Sequence, residues 1–483
     1  MANSKWETII GLEIHAELNT KSKLFSSAPN HFGDEPNTNI TVVCTGQPGA
    51  LPVLNKEAVK KAVQFGLAIN AKIAKFSKFD RKSYFYPDSP RNFQITQFDE
   101  PIVIGGTVIA EVEAQEKSFS VNRVHLEDDA GMLKHFSTFG GVDYNRAGVP
   151  LIEIVSEPCI RSSKEAVAYA MAVKSILEYL DASDCNMEEG SLRFDVNISV
   201  RPFGEEKFRN KAEIKNLNSF SFMEMAIEAE IKKQIKAYES AEDPEFRIPQ
   251  ATYRFDPEKK TTILMRKKEE ADDYRYFPEP DLVPIILTDA YIEEIKRNLP
   301  ELPLERKRRY ERELALSEHT AFVLTSEKKF ADYFEASLKK TKAARSLANW
   351  LTVEFSGRFK DQDHFVYESK IPPENVAELV NLIEDKAITG KIAKTVADEM
   401  VKFPHKTPLQ IVKEHDLQPS ENVEEIEKFI DEVLKENEQS ILDIKAGKDK
   451  AFGFLIGQVM KKCKGKAPPE LVNQLLKSKL EKH

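Results

Sequence analysis

Alternation of apolar and polar positions is the first regularity in the chain. From Ile9 to Leu18 polar groups recur at every second residue, in Leu12-Glu13-Ile14-His15-Ala16-Glu17-Leu18. Period two predicts a strand with one face in a core, and it places Glu13, His15 and Glu17 on the other face, neighbours about 7 Å apart. Ser191–Arg201 is stricter: every even-numbered residue is apolar and every odd-numbered one polar, so Arg193, Asp195 and Asn197 share the polar face of a second strand. A third alternating run puts His125 and Glu127 on one side and leads into Glu127-Asp128-Asp129-Ala130-Gly131, which reads as an acidic surface turn. In Pro150–Val155 a single Glu153 interrupts a run suited to a strand buried on both faces. Lys211–Asn218 predicts a further strand, running into a helix that Ser221 and Glu224 would open as a capping box.

Beyond about residue 295 the pattern changes period. Leu299-Pro300-Glu301-Leu302-Pro303 predicts a linker, because each proline lacks a donor and pushes its predecessor out of the α region. Helix-forming stretches follow to about 406. Near the end Phe452, Leu455, Ile456, Val459 and Met460 recur at helical spacing, Gly465 is placed to cap that helix, and Pro468 to open a closing one. At 483 residues and roughly 150 per domain, the length suggests about three domains.

Composition adds little to fold but narrows function. Hydrophobic residues are 41% and charged residues 31%, which excludes disordered and fibrous classes. No apolar run approaches a membrane span and the start lacks the features of a leader, so a soluble, cytoplasmic protein is expected. Cys44, Cys159, Cys185 and Cys463 lie far apart and are expected to be reduced, with Cys44 read as a small strand residue rather than a nucleophile. The net charge of −9 argues against a chain that is basic throughout. Within the tail, however, residues 407–443 carry a net −8 and residues 444–483 a net +7, concentrating cations at the end. Walker A, GxGxxG, HExxH and GxSxG signatures do not occur, so any phosphate site must be built otherwise.

What remains are oxygen and imidazole groups on strand faces. Glu13 with His15 would make a corner for a divalent ion, and Glu153 is costly to bury unless paired or bound to metal. Arg193 could hold phosphate and Asp195 a metal, although the same face could simply meet water. Lys75–Asp88 interleaves four cations, Lys78 and Lys82 among them, with five aromatic residues, a mixture suited to stacking and phosphate contact.

Taken together, Gly11-Leu-Glu-Ile-His15, Gly49-Ala-Leu-Pro-Val53, Lys78-Phe-Asp-Arg-Lys82, Tyr84-Phe-Tyr-Pro-Asp88, Asn145–Val155, Glu188-Glu-Gly-Ser-Leu-Arg193, Asp272–Pro280 and Gly453–Gln458 resemble the GatB family, the B subunits of tRNA-dependent amidotransferases. The likeness runs over essentially the whole chain. It implies a multidomain α+β fold: a large mixed or antiparallel-sheet cradle domain over 1–294, holding the ATP and Mg²⁺ site, then two all-α domains, 295–406 and a tRNA-gripping 407–483. It implies conversion of Glu-tRNA(Gln) to Gln-tRNA(Gln), and of Asp-tRNA(Asn) to Asn-tRNA(Asn), through an acyl phosphate. Ammonia would come from an amidase-family glutaminase, the A subunit, with a small C subunit completing a heterotrimer.

By that resemblance Glu13, His15 and Glu153 belong to the metal centre, completed by Glu127 or Asp128; many members carry Glu where this chain has Asp128. Lys78, Lys82, Arg193 and Asp195 are implied for phosphate handling or the ammonia route, and Arg193 and Asn197 for the nucleotide. Lys461, Lys462, Lys464 and Lys466 are implied for the tRNA backbone. Two other readings are a non-catalytic tRNA-binding scaffold and a ligase for a free carboxylic metabolite; the latter has no use for a basic tail.

Overall fold

The computed structural model describes residues 5–243, 246–267, 274–360, 365–417, 423–445, 449–463 and 467–480; Asp272, Asp273, Lys464, Gly465 and Lys466 lie outside the described residues. The chain divides into two compact units, Met1–Leu302 and Pro303–His483.

The first unit is organised by a thirteen-stranded sheet. Ten of its strands matter for the site: β1 (Trp6–Glu17), β2 (Asp80–Ser83), β3 (Phe93–Thr96), β4 (Gln115–Asp128), β5 (Pro150–Ser156), β6 (Leu192–Pro202), β7 (Ala212–Leu217), β8 (Ala251–Asp256), β9 (Thr261–Lys267) and β10 (Phe277–Pro278). They lie side by side in the order β9-β8-β7-β6-β1-β5-β4-β3-β2-β10. Pairing is antiparallel except between β7 and β8, which makes the sheet mixed.

Alternation decides which face is covered. Ile10, Leu12, Ile14 and Ala16 of β1 and Leu192, Phe194, Val196, Ile198 and Val200 of β6 are buried. They join a core with buried residues of three helices, α1 (Lys56–Ala68), α2 (Ser163–Tyr179) and α3 (Phe220–Ser240). Asn55 and Ser162 cap the first two of these helices, each side chain accepting from a first-turn backbone N–H. The opposite, odd-numbered face is left polar.

Three local expectations are corrected. The cap of α3 is Ser219, whose hydroxyl accepts from Phe222 N, so the helix begins two residues before the expected Ser221–Glu224 box. The acidic turn is not on the surface: Glu127, Asp128 and Asp129 are all buried. The ladder continues through Asp128, and the turn beyond it is held from behind by Arg146, which donates to the carbonyls of Ala130 and Gly131. Gly131 permits this approach, since a Cβ there would stand 3.0 Å from the Asp143 carbonyl oxygen. Cys44, thirdly, lies in a turn closed by Thr45 N to Thr41 O and Gln47 N to Val42 O rather than in a strand. Its thiol meets the hydroxyls of Ser26 and Thr41 and the buried ammonium of Lys23.

The second unit is helical, and its first helix, Pro303–Leu314, starts on the last proline of the expected linker. Its buried apolar residues form two clusters, one running from Tyr310 to Val412 and the other from Ile426 to Leu476. The second cluster is enclosed by tail helices, with Ile430, Leu455, Val459 and Leu476 all fully buried. Among the described residues no helix is long and apolar enough to cross a membrane.

Phe194 is fully buried and packs 5.4 Å, centroid to centroid, from Phe220 of α3. Phe194→Ala is therefore expected to cost the first unit about 3–5 kcal/mol. Scanning calorimetry checks this, and an unchanged lowest transition would contradict the packing described.

Candidate active site

Strand register turns sequence alternation into a two-dimensional array. His15 stands directly opposite Arg193 on one side and Glu153 on the other, and Glu153 stands opposite His125. Glu13 pairs with Asp195, Asn197 with Glu213, and Glu127 with Leu151 and Thr96. Residues from six strands thus meet on one polar face, although in the chain they span some two hundred positions.

At its centre the Glu153 Oε2 lies 3.3 Å from His15 Nε2 and 3.5 Å from His125 Nε2, while His125 Nε2 is 3.6 Å from Glu127 Oε2. Thr96 donates to Glu127 at 3.0 Å and Asn197 to Glu13 at 3.2 Å. Among the described residues three sets of donors come close enough to surround an ion: Glu13–His15–Glu153, His125–Glu127–Glu153 and Glu13–Asp195–Glu213, with ligand atoms within 4.8 Å of one another in each. Buried carboxylates at such spacing repel unless a cation lies among them. The carboxylate oxygens suit a hard divalent ion such as Mg²⁺, whereas imidazole is the donor of softer ions such as Zn²⁺, so a hard ion would draw mainly on the carboxylates. Among the described residues His125 Nδ1 is buried and meets no hydrogen-bond partner, while its Nε2 faces Glu127 and Glu153.

Electrostatics follow the packing. Burial disfavours the His15 imidazolium, but the hydrogen bond and charge of Glu153 outweigh it and raise its pKa to about 9. Burial also opposes ionisation of Glu153, yet His125, His15 and Lys82 hold its carboxyl well below the usual range. Glu13 is raised, first by burial and then by the neighbouring Glu153 charge. Two lysines supply compensating charge. Lys82 keeps its proton against burial through Glu127 and Glu153, and its Nζ sits 5.0 Å from the centre of the Tyr274 ring. Lys215, likewise raised, bridges Glu213 at 3.0 Å and Asp195 at 3.3 Å.

The structure brings Glu13, His15, Glu127, Glu153, Asp195, Asn197 and Lys82 together, turns Asp128 and Lys78 elsewhere, and leaves Arg193 on the same face opposite His15 but drawn towards Asp129. Asp128 follows Glu127 on the strand and so faces the other way, accepting from Arg91 and from the Ile95 N–H at 2.8 Å. Lys78 is held between Asp80 at 2.6 Å and Asp99 at 2.5 Å. Arg193 donates to Asp129 at 2.9 Å, so its guanidinium is engaged inside the protein. Sequence reasoning left His125, Glu213 and Lys215 outside the chosen set: alternation puts His125 on one side with Glu127, and Glu213 with Lys215, but only the β6–β7 register sets the latter two beside Asp195. Tyr274 and Tyr276 carried no periodic signal.

Beside the centre, Glu17 and Asp129 form a buried carboxyl pair between Arg193 and Arg146. Burial and the Asp129 charge raise Glu17 to about 8, whereas Arg193 and Arg146 overcome burial and hold Asp129 near about 2. Glu17 and Arg146 also line a cavity of about 420 Å³. A carboxyl whose folded pKa exceeds its unfolded value stabilises fully only below the unfolded pKa, and that contribution fades as pH rises towards about 8. Glu17→Gln, an isostere of the protonated acid, should match the parent's thermal midpoint at pH 5 and exceed it at pH 9; equal midpoints at both pH values would refute the shared proton.

The comparisons with known proteins agree with this architecture. The catalytic-domain model of the GatB/GatE family matches residues 8–293, and the GatB domain model matches residues 332–480. The B subunit of an aspartyl/glutamyl-tRNA(Asn/Gln) amidotransferase from Protochlamydia amoebophila is 70% identical over 482 residues, covering 99% of this chain and 98% of that protein. Proteins of the same name from Chlamydia pneumoniae and Chlamydia trachomatis serovar A are 58% and 57% identical, each again covering 99% of this chain and 98% of the relative. Two matched domains and near-complete coverage at this identity establish that the chain belongs to the GatB family.

Proposed function

We propose that this chain is the amide-forming component of a glutamine-dependent tRNA amidotransferase. It would act on the side-chain carboxylate of Glu-tRNA(Gln), and of Asp-tRNA(Asn), at the polar face of the sheet. The observation that carries the reading is the convergence of Glu13, His15, Glu127, Glu153 and Asp195 on that face, with Lys82 beside them, in a chain of this family.

A carboxylate does not react with ammonia until one oxygen becomes part of a leaving group. Transfer of the γ-phosphoryl of ATP makes it one, giving ADP and an acyl phosphate; ammonia then attacks the acyl carbon, forming the amide C–N bond as inorganic phosphate leaves. Mg²⁺, when bound, would be held by Glu13, His15, Glu127 and Glu153, with Asp195 and Glu213 available to a second ion, and would neutralise phosphate charge. The chain's own contribution is placement. Lys82 and Lys215 put fixed positive charge where phosphate oxygens would lie, and Asn197 offers an amide to the nucleotide. Arg193 fixes Asp129 behind Glu17, which lines the cavity where ammonia would enter from the glutaminase partner; that partner and a third, small polypeptide would complete a cytoplasmic heterotrimer. Lys78 and Asp128 would serve the site indirectly, through the ion pairs that shape its border. The first unit would thus be catalytic and the helical tail would grip tRNA.

In the reconstituted complex, Glu153→Ala is expected to lower ATP-dependent amide formation by about 10²-fold or more while glutamine hydrolysis and tRNA binding persist. Unchanged turnover would support a scaffold instead. For the tail, Lys461 is exposed and Lys462 is shared between Glu432 at 2.9 Å and Glu436 at 2.7 Å. Lys461→Ala should reduce the salt dependence of tRNA binding by about one unit of log–log slope, and Lys462→Ala should reduce it less; filter binding across a salt series decides between them.

A further inference from the structure

We propose that a ribbon of aromatic side chains leading away from the metal-binding face, formed by Tyr276, Tyr274, Tyr84, Phe85 and Tyr86, stacks the unpaired terminal bases of the aminoacylated RNA. The inference rests on the function proposed above and adds the surface that holds its substrate.

The ribbon begins in the site. Tyr276 feels the charges of Lys82, Glu127 and Glu153, and Tyr274, 6.0 Å from it, lies against the Lys82 ammonium. From there the Ser83 N–H donates to the Tyr274 carbonyl at 2.9 Å, tying the segment after β2 to the segment before β10. Tyr84 stands near Tyr274 and Lys215, and its ring is 5.9 Å from that of Tyr86. Arg275 lies 5.6 Å over the Phe85 ring. The three successive aromatics are 40%, 66% and 50% exposed. Rings that could have turned inward instead remain in water, which costs free energy unless a partner covers them.

The chemistry of the substrate selects that partner. The amino acid is esterified to the terminal ribose, so when its side-chain carboxylate reaches Glu13, His15 and Glu153 only the amino acid's backbone and one ribose separate it from the last base, and the inner end of the ribbon borders the same site through Lys82. Bases of unpaired RNA stack on aromatic and guanidinium planes, and successive rings accommodate successive bases. ATP carries a single base and would need one ring. The interleaved cations Lys82, Lys215 and Arg275 also match a phosphate backbone rather than an apolar protein surface.

The test uses the purified complex with full-length tRNA whose terminal adenine is replaced by 2-aminopurine. Binding is expected to quench its fluorescence, and Phe85→Leu and Tyr86→Leu to abolish much of that quenching. The same variants should raise KM for charged tRNA about ten-fold while leaving KM for ATP and glutamine hydrolysis unchanged. Phe85→Trp, which keeps a stacking plane, should behave as the parent. The inference is overturned if the leucine variants quench normally, if KM for ATP moves instead, or if the variants lose their partner chains on gel filtration. A parent complex that does not amidate charged tRNA at all would defeat the proposed function itself, a result separable from any of these.

Discussion

Everything at the site follows from one constraint: like charges have been gathered inside a protein on a single sheet face. Glu13, Glu127, Glu153, Asp195 and Glu213 come within a few ångströms of one another because neighbouring antiparallel strands present opposed residues side by side. A one-residue slip in any of these strands would send its acids to the apolar side. The helices that cover the even-numbered face prevent that slip, since it would expose Ile14, Phe194 or Ile198 to water. The hydrophobic core therefore does more than stabilise the unit; it enforces the register in which the carboxylates meet.

Fixed cations divide the array into regions with different protonation. Where histidine and lysine face a carboxylate, as around Glu153, the acid stays ionised. Where two carboxyls meet between arginines, as at Glu17 and Asp129, one keeps its proton and the other loses it. A face that held only acids would take up protons and lose its affinity for metal. Interspersing Lys82 and Lys215 keeps ionised oxygens available near neutral pH while leaving part of the negative charge for an ion to neutralise.

The strands of this face were legible in the chain because period two is a strong signal when one face is buried and the other polar. β1 and β6 read correctly down to which residues share a side. The Glu127–Asp129 turn did not, because nothing local announces that the Asn145–Val149 segment, through Arg146, will close over it. Asp128 entered the metal set as an alternative to Glu127 through the family resemblance, whereas pleating sends adjacent residues to opposite faces, and Arg91 waits there. His125 and Lys215 were on the correct face all along; their membership depended on strand order, which no single segment contains. The α3 cap shows a smaller version of the same limit, since Ser219 and Ser221 both fit the capping preference and only backbone direction separates them.

The tail illustrates how folding changes the meaning of a charge count. Its last forty residues carry a net +7, but Lys462 reaches Glu432 and Glu436, and Lys479 reaches Asp431 at 2.6 Å and Glu427 at 3.8 Å. The acidic helix Val423–Glu436 thus consumes part of the basic charge that the later helices carry. Fewer cations are left for a phosphate backbone than the sequence suggests, so if the tail takes the RNA as proposed, the electrostatic share of its affinity would be smaller and less steep in salt. An RNA held weakly by charge at one end needs a contact of another kind where its amino acid enters the chemistry. Stacking meets that need, because it depends little on salt and positions a base, and with it the esterified carboxylate, more closely than an exposed lysine can.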